Sequence, residues 1–201
     1  MIGTLRETSL HAALKQWYAR PGDEVEAGVD GYVVDLRRGD TLIEIQTRNF
    51  AAIRRKLQAL VERHPVRLLH AIASEKVIVR MPPTGAKPLS RRRSPKRGQS
   101  AQLFVELVSI PDLIGHPNFS LEVLMTRQEE ILRPGGGGSW RRRGWRVDDR
   151  RLVEVLGHTA FESPGDFKRF LPPALSEPFT SQDVAGATGL PLYLVQKMTY
   201  C

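Results

Sequence analysis

Asp30, Glu44 and Gln46 stand within DGYVVDLRRGDTLIEIQT, residues 30–47, and their types suit one chemistry. Phosphodiester hydrolysis with a divalent metal needs hard oxygen ligands, usually carboxylates on neighbouring strands, and a group that orients the attacking water. The stretch reads as two β-favouring runs folding back across Arg37-Arg38-Gly39-Asp40. Glu44 and Gln46, two residues apart, share one strand face. Which acid joins them from the other arm depends on the turn: a three-residue loop or a bulge aligns Asp30, whereas a strict two-residue loop puts Asp35 there. Glu44 is also flanked by Ile43 and Ile45, and a buried carboxylate needs a metal or a cation to offset its desolvation. The same three polar residues equally fit the wet face of an ordinary sheet.

The elements that must position these residues follow from periodicity. Leu10, Ala13, Leu14 and Trp17 recur at helical spacing behind Thr8 or Ser9 as cap, with Glu7 one turn before Leu10, and Pro21-Gly22 ends that helix. DEVEAGV reads as a strand leading into the hairpin. Asn49 starts a second helix, through His64, with Phe50, Ile53, Leu57, Leu60 and Val61 on one stripe. VRLLHAI and KVIVRM read as one or two strands, AQLFVELVSIPDLI as an amphipathic helix, and FSLEVLMT as a further strand. His70, inside an apolar strand, reads as a satisfied core residue. Between these elements, residues 81–100 are rich in Pro, Gly and cations and are expected to form an exposed, mobile loop inserted in the domain.

A helix carrying an inward acid, a strand, an Asp-led hairpin closing in Glu-x-Gln and an amphipathic helix together resemble the PD-(D/E)XK nuclease superfamily, the restriction-endonuclease-like fold. The resemblance spans roughly residues 5–130 by element order, on a short motif. It implies an α/β domain with a mixed sheet flanked by helices, in which Glu7, Asp30 and Glu44 hold Mg2+ or Mn2+ and Gln46 completes the catalytic set. Gln46 stands where the family has lysine. Gln exchanges hydrogen bonds, whereas Lys brings a charge to the hydroxide or the phosphorane. Some members take a lysine from the following helix instead, and Lys56 is the only lysine there. The implied activity is a metal-dependent DNA endonuclease. The alternative is an inactive nuclease fold kept as a DNA-binding regulator.

GGGG at residues 135–138, followed by Arg141, Arg142, Arg143 and Arg146, reads as a linker. The expected boundaries are therefore 1–132 for the nuclease-like domain, 133–146 for the linker and 147–201 for a second, mostly helical domain. That second domain is read as three helical patterns, beginning with DDRRLVEVLGH. In SQDVAGATGLPLYLVQKMTY, Thr180 suits an N-cap, Gly189 a turn with positive φ, Pro191 the start of the next helix, and Leu194 and Val195 its core. The segment resembles the helix-turn-helix of winged-helix domains, with Tyr193, Gln196 and Lys197 facing DNA. The sequence reaches only Cys201, so the wing is expected to be missing. A winged helix used for protein contact fits the same residues.

Thirty Lys and Arg against 22 Asp and Glu give a formal charge of +8, which favours an anionic partner through counterion release. Arg91, Arg92, Arg93, Lys96 and Arg97, together with Arg141 to Arg143, are the candidate phosphate contacts. Trp140 and Trp145 read as anchors for the second run, with stacking on a base as the alternative. The single cysteine, Cys201, excludes an internal disulfide and a cysteine-based metal cluster. The five histidines lack zinc spacing, and no phosphate-loop or serine-hydrolase elbow motif occurs. With no leader pattern and no long apolar run, a cytoplasmic protein with DNA as partner and no membrane is expected. A dimer is compatible with the sequence, which does not fix an oligomeric state.

Overall fold

In the computed structural model, residues 8–135, 144–173 and 175–201 are described. Seven strands form a mixed sheet flanked by helices: β1 (Glu24–Val29), β2 (Tyr32–Arg38), β3 (Thr41–Gln46), β4 (Val66–Arg80), β5 (Ser90–Arg93), β6 (Phe119–Pro134) and β7 (Trp145–Phe161). Their order is β1-β2-β3-β4-β6-β7, with β5 on β4. β1, β2 and β3 form an antiparallel meander, and β4 runs parallel to β3. That parallel step requires a crossover, supplied by a 3-10 turn at Phe50–Ile53 and α2 (Arg54–Val61). The protein is thus α/β, as expected. Its contacts divide the chain into two compact units, Met1–Ala19 with Ala71–Gln99 and Leu124–His158, and Arg20–His70 with Ser100–Val123 and Thr159–Cys201.

In the second of these units the core is built from Val34, Leu36, Leu42, Ile43 and Ile45 of the meander, Phe50, Leu57, Leu60 and Val61 of the crossover, and Leu68 and Leu69 of β4, all buried. Leu42, Ile43 and Ile45 bury both faces of β3, which is why that strand reads as an almost continuous apolar run. α3 (Phe104–Leu107) is one turn, flanked by 3-10 turns, where the sequence predicts a single long helix; Pro111 starts the last of these turns. α4 (Ser181–Thr188) and α5 (Leu192–Tyr200) complete the unit, with α5 packed on α3. Phe161 stacks on Phe167 and Phe170, and Phe104 meets Phe170 edge-on.

The other unit holds α1 (Ser9–Tyr18), capped by the Thr8 hydroxyl, which accepts from the His11 amide. Leu10 and Leu14 are its buried positions, and the Ser9 hydroxyl donates to Asp149 of β7 at 2.7 Å.

Three expectations are corrected here. DDRRLVEVLGH, residues 148–158, is strand within β7, not helix. Leu152, Val155 and Leu156 do recur at helical spacing, but Val147, Val153 and Val155 favour a pleat and β6 offers an edge, so pairing overrides the local pattern. Of the expected linker 133–146, Arg133 and Pro134 instead end β6 and Trp145 and Arg146 begin β7, residues 136–143 lying outside the described residues; the cross-strand pairs Arg133–Asp148 and Arg127–Glu154 match an antiparallel run. A separate domain from 147 onward is not formed, because residues 159–201 belong to the same unit as the β1–β3 meander. Finally, the basic segment 81–100 is not a mobile loop throughout: Ser90–Arg93 pairs with Val77–Arg80 as β5.

Candidate active site

A two-residue turn, Gly39-Asp40, joins β2 to β3, with Gly39 at φ 57°. The resulting register pairs Arg38 with Thr41 and Leu36 with Ile43, and one further step sets Asp35 opposite Glu44. Asp35 Oδ2 accepts the Ile45 amide at 2.8 Å. Asp30 lies elsewhere. With Gly31 it forms the tight turn between β1 and β2, both at positive φ (48° and 82°), as a primed hairpin turn demands. Its carboxylate meets His64 Nε2 at 3.0 Å and Arg63 at 3.9 Å. The strand acid beside Glu44 is therefore Asp35, and assigning Asp30 to that place is corrected by the turn length.

Glu44 is buried at the middle of β3. Lys56 reaches it from α2: Nζ donates to Glu44 Oε2 at 2.6 Å and to the Val33 carbonyl at 2.6 Å. The charge that Ile43 and Ile45 surround is thus compensated by a cation from the next helix. Sequence reasoning could reach Lys56 only as that helix's sole lysine, since its reach depends on how α2 lies over the meander. Gln46 ends β3, half-buried, and its backbone carbonyl accepts from His70 Nδ1 at 2.9 Å. Burial pushes the His70 imidazole below its ordinary range, so it is a neutral core group, as its apolar surroundings suggest. Phe50 meets its ring edge-on. Glu106 accepts the Phe50 amide at the start of the crossover, which holds the entry to α2.

Glu7, Trp140 and Arg141 to Arg143 lie outside the described residues. Among the described residues no cluster of three or more His, Cys, Asp or Glu gathers, so Asp30, Asp35 and Glu44 do not form a three-carboxylate cage. Asp35 and Glu44 nevertheless offer hard oxygens, the donor type that Mg2+ takes from one or two carboxylates beside water and phosphate.

In α4 and α5 the expected turn is present. Thr180 and Asp183 form a reciprocal capping box, and Gly189 adopts φ 68°. Leu194, Val195 and Met198 are buried, while Tyr193 and Gln196 are exposed and Lys197 is half-buried. Arg91 and Arg97 make ion pairs with Glu129 and Glu75, and Trp145 lies under the Arg80 guanidinium.

Residues 8–162 match a protein family described as Domain of unknown function (DUF8091). The chain belongs to this family. It is also 31% identical, over 185 residues, to an uncharacterized protein of Treponema pallidum (strain Nichols); the match covers 92% of this chain and 73% of the relative. No solved structure matches. No helix among the described residues is long and apolar enough to cross a membrane.

Proposed function

We propose that this DUF8091 protein is a metal-dependent DNA nuclease whose site is Asp35, Glu44, Gln46 and Lys56. The observation that carries the reading is the 2.6 Å contact between Lys56 and Glu44. Lys56 brings back, from the helix after β3, the positive charge that Gln46 lacks in the Glu-x-Gln motif. The element order α1-β1-β2-β3-α2-β4, with β3 and β4 parallel, supports a restriction-endonuclease-like core.

Asp35 and Glu44 would hold Mg2+ or Mn2+, which when bound supplies a Lewis acid for the phosphate and a more acidic water. The chain's own groups do the rest. Gln46 donates and accepts hydrogen bonds that align a water with phosphorus. Lys56 sets a cation beside the reacting phosphate, where negative charge grows as one P–O bond forms and the other breaks. The attacking water gives a proton to solvent as its P–O bond forms, and the leaving oxygen takes one from solvent as the other breaks. Gln196, Lys197 and Tyr193 of the α4–α5 pair, in a winged-helix-like arrangement, contact DNA outside the site.

The test is Mg2+- or Mn2+-dependent cleavage of single-stranded, duplex and branched DNA by the wild type beside Asp35→Asn and Lys56→Gln. Cleavage by the wild type that both variants lose supports the site. A wild type that binds DNA and cuts none of the three substrates removes the nuclease reading. One observation favours the second reading, an inactive nuclease fold that binds DNA: the buried Glu44 charge is already matched by the partly buried Lys56. On that reading, Lys197→Ala and Gln196→Ala weaken salt-dependent DNA binding while Asp35→Asn leaves it unchanged.

A further inference from the structure

We propose that the cleft lined by Lys76, Arg91, Arg92, Arg93, Arg97 and Arg127 is a phosphate-binding groove that holds the backbone of a nucleic-acid strand; this deepens the DNA reading above and rests on it only for the identity of the polymer. The cleft has a volume of about 520 Å3 and contains a single carboxylate, Glu75, against those six cations.

Its walls are fixed by the backbone. β5 is hydrogen-bonded along β4, with Val77 opposite Arg93 and Val79 opposite Arg91. The segment is held at both ends, by the Leu89 amide on the Arg80 carbonyl and the Ser94 amide on the Lys76 carbonyl, each at 2.8 Å. The chain then returns close enough to β4 for the Gly98 amide to reach the Ala73 carbonyl at 3.1 Å. Arginines on a strand fixed in this way lose less freedom on binding than arginines on a loop.

Charge is distributed unevenly within the cleft. Glu75 takes both Arg97 and Arg127, Glu129 takes Arg91, and Glu130 takes Lys76. These acids orient four of the cations. Arg92 and Arg93 make no ion pair among the described residues, although they are adjacent on an exposed strand. As consecutive strand positions their side chains leave β5 on opposite sides, yet both line the cleft, and each, without an acid among the described residues, offers a planar fork for bidentate recognition of phosphate oxygens. A row of cations from Arg91 to Arg97, with Lys76 and Arg127 beside it, exceeds what one phosphate neutralises and suits successive phosphates of a strand.

The experiment is metal-free anisotropy titration of labelled single-stranded and duplex DNA between 50 and 200 mM salt, with the full chain. Each neutralised phosphate contributes about 0.7 to the log–log salt slope on a single strand and about 0.9 on a duplex. The Arg92→Gln/Arg93→Gln variant is expected to flatten the slope by about 1.4 and about 1.8 respectively, and Arg37→Gln, an exposed cation outside the cleft, to leave it unchanged. An unchanged slope in the double variant, or equal flattening by Arg37→Gln, overturns the groove. Inorganic pyrophosphate, titrated in the same cells, separates the sources: binding that needs Arg92 and Arg93 for pyrophosphate but not for DNA overturns the strand assignment. The nuclease reading fails separately. Binding with the expected slopes and no cleavage keeps the groove and removes the nuclease, whereas cleavage with unchanged slopes does the reverse.

Discussion

Lys56 Nζ lies 2.6 Å from Glu44 Oε2, with the two side chains only 17% and 8% exposed. Removing one partner of such a pair leaves a buried charge alone and costs about 3–5 kcal/mol, whereas replacing both by apolar groups of similar volume is near neutral. Lys56→Met is therefore expected to be strongly destabilised in urea denaturation, and Glu44→Leu/Lys56→Met to recover most of that loss. If Lys56→Met is as stable as the wild type, the pair is not buried as described, and the main support for Lys56 as a site residue goes with it.

His70 makes stability depend on pH with a definite sign. Its folded pKa is depressed by burial, so the unfolded chain binds a proton near its ordinary pKa, about 6.5, while the folded protein does not. Stability from this group is complete above that value and falls as pH drops below it, by up to about 1.4 kcal/mol per pH unit until the folded pKa is reached. Urea midpoints from pH 7.5 to 5.5 measure this. His70→Asn keeps a donor for the Gln46 carbonyl and lacks the titration, so its midpoint should vary less over that range than that of the wild type.

How much of this was legible in the sequence depends on whether local chemistry or pairing decides each element. The Thr8 and Thr180 caps, the Gly189 turn and the buried faces of β3 and α5 follow from neighbours a few residues away, and sequence reasoning finds them. The acid facing Glu44 was open between Asp30 and Asp35 because one residue of turn length reverses every side chain on the arm. β7 and β5 were misread for the converse reason. Their sequences, DDRRLVEVLGH and SRRR, carry helical spacing or bare charge, and only the edges of β6 and β4 make them strands. Lys56 has no motif of its own; its role follows from where α2 places its amine.

Gly98 is a position where no side chain fits. A Cβ there would stand 2.5 Å from the Ala73 carbonyl oxygen and 2.8 Å from Ile72 Cγ2, and the first of these is backbone that cannot swing aside. Gly98→Ala should push the segment after β5 off β4, at about the 1–3 kcal/mol typical of overpacking. Amide exchange checks it: faster exchange at Gly98 and Ser94, with β1–β3 unchanged, is the expected pattern. A variant as protected as the wild type would mean that the segment does not lie against β4.

Cys201 gives a chemical probe of the α5 terminus. Its thiol lines an apolar cavity of about 330 Å3 with Phe104, Phe167, Phe179 and Met198, and burial pushes its pKa up to about 11 against the opposing charge of Lys197. At pH 8 a group with that pKa is about one part in a thousand thiolate, whereas an ordinary cysteine near 8.5 is about a quarter thiolate. Since the thiolate is the nucleophile, and its intrinsic nucleophilicity rises with pKa and offsets part of its scarcity, a disulfide reagent should react with the folded protein on the order of tenfold more slowly than with the chain in urea, and the rate should keep rising past pH 10. The profile separates desolvation from simple blockage, because a thiol that is only sterically shielded would react slowly yet level off near pH 9. Ordinary reactivity at pH 8 would place the last turn of α5 away from Phe104, and with it the packing that holds the α4–α5 pair in its unit.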